Sequence, residues 1–138
     1  MNYKAILKRE GKRWLVEFPD CPGCVTFGDS KAEALTNAVE ALEGWLEANL
    51  VRDLVPPLPK ARKGEPILVN MTLAIAILLK VNRRLKHLTQ AAVAKKAQLS
   101  QQQVARLESA TGNPTVDMVT RVARALSIAP ELSFVATH

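Results

Sequence analysis

Hydrophobic positions along the chain change period, from strict alternation near the N-terminus to a three-to-four spacing beyond it. Tyr3, Ala5 and Leu7 alternate with Lys4, Ile6 and Lys8, as the two sides of a β-strand do. Arg9-Glu10-Gly11-Lys12 is a compact turn. Trp14, Val16 and Phe18 then line one side of a second strand, with Leu15 and Glu17 on the other, until Pro19 removes a ladder donor. Val25 to Phe27 supplies a third, short strand. Ser30-Lys31-Ala32-Glu33 fits a capping box and starts a helix. Leu35, Ala38, Val39, Leu42, Trp45 or Leu46, and Leu50 make its apolar stripe, opposite Glu40, Glu43 and Glu47. That stripe is expected to lie on the sheet.

Val55-Pro56-Pro57-Leu58-Pro59 cannot be helix interior and reads as a stiff extended crossing. Lys60 to Gly64 is a solvated basic loop, and Pro66 to Val69 is a fourth strand returning to the sheet. From Met71 to Lys86 the period is helical, with apolar positions at Leu73, Ile75 or Ala76, Leu78 or Leu79, and Leu85. Arg83, Arg84 and Lys86 sit near its C-terminal end, where the helix dipole favours cations. Two short helices and a tight turn follow between Leu88 and Glu108. Thr89 caps the first, with Ala91, Val93 or Ala94, and Ala97 inward; Ser100 caps the second, with Val104 and Leu107 inward. After a loop at Ala110 to Pro114, Thr115 caps a last helix with Val116, Val119, Val122, Ala123 and Leu126 buried. The predicted fold class is α+β: a βββαβ domain over 1–69, then an all-α helix-turn-helix domain over 70–138. The tail from Ala129 to His138 carries Leu132, Phe134 and Val135, suited to docking on a dimer partner or on its own domain.

The helix pair leaves Gln101, Gln102, Gln103 and Arg106 without a core role. A helix-turn-helix has this arrangement, the first helix bracing across the phosphate backbone and the second presenting polar side chains to the major groove. Gln pairs with adenine N6 and N7, and Arg with guanine O6 and N7. Charge sharpens the picture. The 138 residues carry a formal charge of +6, and the residues before Asn70 balance ten basic against ten acidic side chains. From Asn70 onward nine Lys and Arg face only Glu108, Asp117 and Glu131, which predicts a polyanionic partner for the second half.

Thr89-Gln90, Ala94, Leu99-Ser100-Gln101-Gln102, Val104, Leu107-Glu108, Asn113-Pro114 and Val122-Ala123-Arg124-Ala125-Leu126 resemble the Xre and lambdoid-repressor type of helix-turn-helix. The resemblance implies a phosphate contact from Gln90 and base contacts from Gln101, Gln102 and Arg106, and extends the candidate DNA-binding set to Gln90, Ser100, Gln101, Gln102, Gln103 and Arg106. One departure is Gln98, at a turn position usually filled by Gly and often requiring positive φ.

The first half resembles a second family. Pro19-Asp20-Cys21-Pro22-Gly23-Cys24-Val25-Thr26, Gly28-Asp29-Ser30, Glu33-Ala34-Leu35 and Asn37-Ala38-Val39-Glu40-Ala41-Leu42 are similar to the HicB antitoxins. That resemblance implies a partial RNase H-like domain that binds and masks a HicA-type toxin, a small basic ribonuclease acting on mRNA. It also implies that the second domain binds operator double-stranded DNA and represses the operon. Asp20, Cys21, Pro22 and Gly23 form a loop that is either a toxin contact or a structural turn. A homodimer or a dimer of dimers is expected on two half-sites. The alternative is a ligand-responsive repressor with no toxin partner.

The remaining chemistry is negative. Cys21 and Cys24 make a lone CxxC; a zinc site needs more ligands, and His87 and His138 lie far off in sequence. A two-metal nuclease needs converging carboxylates, whereas Asp20 and Asp29 bracket a loop, Glu33 suits a cap, and Glu40, Glu43 and Glu47 follow one helix face. No catalytic residue, metal or cofactor is expected. No apolar run reaches membrane-span length and the N-terminal residues alternate with charges, so no membrane role and a cytoplasmic location are expected.

Overall fold

The computed structural model describes residues 1–137; His138 lies outside the described residues. Strands β1 (Asn2–Glu10), β2 (Arg13–Glu17) and β3 (Val25–Gly28), helix α1 (Lys31–Val51) and strand β4 (Glu65–Leu68) follow in that order. They form one four-stranded antiparallel sheet, ordered β3-β2-β1-β4. The expected βββαβ order is observed. Register pairs Leu7 with Val16, Val16 with Thr26, and Tyr3 with Ile67, so Tyr3, Ala5, Val16 and Ile67 share the face that α1 covers. The Tyr3 hydroxyl donates to the Pro57 carbonyl at 2.7 Å, tying the proline-rich crossing to the sheet.

Helix α1 buries Ala34, Ala38, Leu42, Leu46 and Leu50, a strict i,i+4 row. The expected stripe was one residue out of phase at its start: Leu35 is half-buried and Val39 exposed. Close approach explains the shift. A Cβ on Gly28 would lie 2.4 Å from the Ala34 backbone nitrogen, so the first turn of α1 sits against β3 with room only for small side chains. Ser30 Oγ accepts from Glu33 N at 3.1 Å, and the Glu33 carboxylate accepts from Asp29 N rather than Ser30 N.

Helix α2 (Met71–Leu85) follows β4 after a two-residue link, with Asn70 as N-cap. Glu43 Oε2 fixes that cap, accepting from Asn70 N at 2.8 Å and Asn70 Nδ2 at 2.6 Å. Leu73, Ala74, Ala76, Ile77 and Val81 join the sheet core, whereas Leu79 joins a second core with Val93, Ala94, Ala97, Val104, Leu107, Val122 and Leu126. Leu85, expected inward, is exposed beside Arg84 and Lys86, because Arg83 takes the inward-facing position of the last turn of α2. Helices α3 (Gln90–Ala97), α4 (Gln101–Leu107) and α5 (Val116–Ala125) complete the second core. Val116, also expected inward, is exposed at the first position of α5, before that helix reaches its neighbours. Residues 129–137 carry no regular structure, and Leu132, Phe134 and Val135 are exposed. Among the described residues no helix is long and apolar enough to cross a membrane.

Candidate nucleic-acid interface

Local sequence builds the α3–α4 unit. Thr89 Oγ1 accepts from Ala92 N at 3.0 Å and starts α3. Gln98 ends it in the left-handed conformation, φ 58 and ψ 43, and Leu99 N then closes on the Ala94 carbonyl at 2.9 Å. A non-Gly residue tolerates this at a cost of about 1 kcal/mol, so the departure at Gln98 strains the turn without abolishing it. Ser100 and Gln103 form a reciprocal capping box: Ser100 Oγ accepts from Gln103 N at 3.1 Å, and Gln103 Oε1 accepts from Ser100 N at 2.8 Å.

The six residues singled out from sequence therefore divide. Gln101, Gln102 and Arg106 are exposed on α4. Ser100 and Gln103 are exposed too, but their side chains hold the helix end, with Gln103 Nε2 left over. Gln90 is half-buried at the start of α3, and its Nε2 donates to Glu108 Oε1 at 3.3 Å. Beside α4, Gln103, Arg106, Asn113 and Met118 line a cleft of about 300 Å³. The loop closing it packs tightly, since a Cβ on Gly112 would stand 2.2 Å from the Arg106 carbonyl oxygen.

A buried ion pair escaped the sequence reading. Arg83 Nε and Nη2 donate to Glu108 Oε2 and Oε1 at 2.6 and 2.8 Å, and Arg83 Nη1 donates to the Leu88 carbonyl at 2.9 Å. Both side chains are buried. The Glu108 carboxylate's hydrogen bond raises the Arg83 pKa above the ordinary arginine value, against the opposing pull of burial. The available signal was Glu108 itself, an acidic residue four beyond the core position Val104. This network fixes α2, α3 and α4 together, and through Gln90 it reaches the candidate DNA face.

Charge divides in the same way. Lys80 Nζ, almost fully buried, meets Asp53 Oδ1 at 2.7 Å, and Arg84 Nη2 meets the same oxygen at 3.0 Å. Arg83 is thus neutralised by Glu108, and Lys80 and Arg84 share the single Asp53 carboxylate. The excess available to an external polyanion is smaller than the sequence suggests, and it rests on Lys86, Lys95, Lys96, Arg106 and Arg124, with Arg121 held by Asp117 at 3.0 Å.

The Asp20 to Gly23 loop packs along the sheet edge. Asp20 Oδ2 accepts from the backbone nitrogens of Lys60 and Ala61 at 2.8 and 2.9 Å, so this carboxylate pins the basic loop. Cys21 and Cys24 are buried free thiols joined by a Cys24 N to Cys21 O bond of 3.0 Å, and Pro22 and Gly23 form the exposed tip, with Gly23 at φ 87. Burial, with smaller contributions from Cys24 and Asp20, pushes the Cys21 thiol up to about 12, and burial pushes Cys24 up to about 11.

Residues 79–132 match a helix-turn-helix family model, which covers the end of α2 through α5, and such a domain implies DNA binding. An uncharacterised protein of Haemophilus phage HP1 is 35% identical over 65 residues, 47% of this chain and 47% of that protein. The chain thus spans about half the length of this phage relative. A UPF0150 protein of Thermoplasma acidophilum is 41% identical over 49 residues, 35% of this chain and 71% of its own length. Antitoxin HicB 1 of Photorhabdus laumondii is 30% identical over 128 residues, 91% of this chain and 82% of that antitoxin. By this near full-length likeness, the chain belongs to the HicB antitoxin family.

Proposed function

We propose that this protein is an antitoxin of a type II pair and the repressor of its own operon. Its N-terminal domain, a partial RNase H-like unit, neutralises a HicA-type mRNA ribonuclease, and α4 reads operator DNA. The observation that carries the DNA half is the capped helix α4, which offers Gln101, Gln102 and Arg106 outward from an end fixed by the capping box. Gln101 and Gln102 contact bases, Gln90, Ser100 and Gln103 serve backbone and positioning, and Arg106 reads a further base. Two copies bind two half-sites, as a homodimer or a dimer of dimers.

The toxin half acts by covering its partner, not by catalysis. Support comes from four of the carboxylates, which are committed locally: Asp20 to the Lys60 and Ala61 nitrogens, Glu33 to Asp29 N, Glu43 to Asn70, and Glu17 to Lys8. The exposed Pro22–Gly23 tip is the toxin contact in this reading, with Asp20 and Cys21 as its frame. A cytoplasmic location follows from both partners.

The test uses fluorescence anisotropy with duplex DNA from upstream of the gene, beside growth rescue from the product of the adjacent reading frame. Gln101→Ala with Gln102→Ala should cost about 1–3 kcal/mol of operator affinity per lost bidentate pair and leave rescue intact. Rescue lost together with DNA binding, in a variant that still folds, refutes the division of labour.

A further inference from the structure

We infer that the groove between the C-terminal turn of α3 and the length of α5 is a second phosphate-binding surface, which takes backbone phosphates of the DNA that α4 reads; this rests on the DNA-binding reading above. The groove, about 580 Å³, is lined by Lys96, Gln98, Thr120, Arg121, Arg124 and Ser127. Its single carboxylate, Asp117, is already held by Arg121 Nε at 3.0 Å. Among the described residues Lys96 and Arg124 have no carboxylate partner.

Two helix C-termini meet here, and each carries about half a negative charge. Together they balance roughly one cation, which leaves part of the cluster uncompensated. Cations placed only to satisfy the dipoles would stop at neutrality. The recognition helix contributes a single cation, Arg106, whereas two cations without a carboxylate partner, Lys96 and Arg124, line this groove. Position favours the same occupant. Gln98 lines the groove two residues before Ser100, the N-cap of α4, so the groove opens beside the helix end that carries Gln101 and Gln102.

The experiment measures anisotropy of the full chain on labelled operator duplex and on a scrambled duplex between 50 and 200 mM salt. Each neutralised phosphate contributes about 0.9 to the slope of log affinity against log salt. Lys96→Ala and Arg124→Ala should each flatten the slope by about that amount and leave the operator-to-scrambled ratio unchanged. Gln101→Ala should instead change the ratio and leave the slope. An unchanged slope in both groove variants overturns the assignment to DNA, whereas a parent chain that binds neither duplex overturns the DNA-binding reading itself. Titration of the DNA-free chain with inorganic pyrophosphate, followed by amide chemical shifts, separates the sources. Saturable shifts at Lys96, Gln98 and Arg124, lost in the variants, with an unchanged DNA slope reassign the groove to a small phosphate ligand; their absence with an unchanged slope removes the site.

Discussion

Replacing Glu108 by Ala removes both oxygens that hold the Arg83 guanidinium and leaves a buried cation with one remaining partner, the Leu88 carbonyl. Two charge-assisted hydrogen bonds go, at about 1.5–3 kcal/mol each, from a guanidinium that is buried. Breaking a buried pair by removing one partner costs about 3–5 kcal/mol, in agreement with that sum. For a chain of 138 residues this corresponds to a fall in Tm of roughly 10–20 °C. Urea unfolding followed by far-UV circular dichroism reads it as a lower midpoint at unchanged m. The paired replacement Arg83→Met with Glu108→Leu leaves no orphan charge and should recover most of the loss. A loss under about 1 kcal/mol for Glu108→Ala, the size of an exposed pair, would refute the assignment of this pair as the polar tie of the helical core.

Asp53 lies below the usual carboxylate range because Lys80 donates a hydrogen bond to it, with the charges of Lys80 and Arg84 adding to the shift. Its contribution to stability is therefore complete above the unfolded carboxylate value, about pH 4, and is lost as pH falls through the lower folded value. The gap in urea midpoint between the parent chain and Asp53→Asn should narrow from pH 6 to pH 3; a gap that stays constant removes the role of ionisation. Gln98→Gly relieves a positive φ and should stabilise by about 0.5–1 kcal/mol, a rise in midpoint that a destabilised variant would contradict. With both thiols pushed up to about 12 and 11, Cys21 and Cys24 should resist a disulfide reagent at pH 8 in the folded chain and react fully in urea, whereas stoichiometric reaction on mixing would show that the loop opens freely.

Order and type of the elements were legible because their signals are local. Alternation at Tyr3–Lys8, the caps at Ser30, Thr89, Ser100 and Thr115, and Pro19 as a strand stop each act within a few residues, and the structure places strands and helices accordingly. What was not legible depends on how the elements pack against one another. The true buried row of α1 is set by how closely Ala34 approaches Gly28, a contact that no periodicity count contains. Arg83 and Arg84 looked like dipole-matched charges at a helix end, and only the packing of α2 reveals Glu108 and Asp53 facing them. Asp20 likewise looked like a candidate contact, but the chain brings the Lys60 and Ala61 nitrogens onto its carboxylate from 40 residues away.

The sharing of α2 decides how the two proposed activities can be separated. Leu73, Ala76 and Ile77 bury in the first core, where α2 meets α1, while Leu79 and Arg83 bury toward the second core and Glu108 after α4. A cut at 69/70 would strip cover from the first group, at roughly 2–3 kcal/mol for each large aliphatic side chain left in water, so a fragment starting there would lose stability for reasons unrelated to DNA. Point substitutions avoid this, because Gln101, Gln102, Lys96 and Arg124 touch neither side of α2 through any hydrogen bond or ion pair among the described residues. Lys80 and Arg83 lie three residues apart on that helix, one tied to Asp53 after α1 and the other to Glu108 after α4. The two ties therefore hold α2 on both sides, one to the segment after α1 and one to the Glu108–Gln90 contact beside α4.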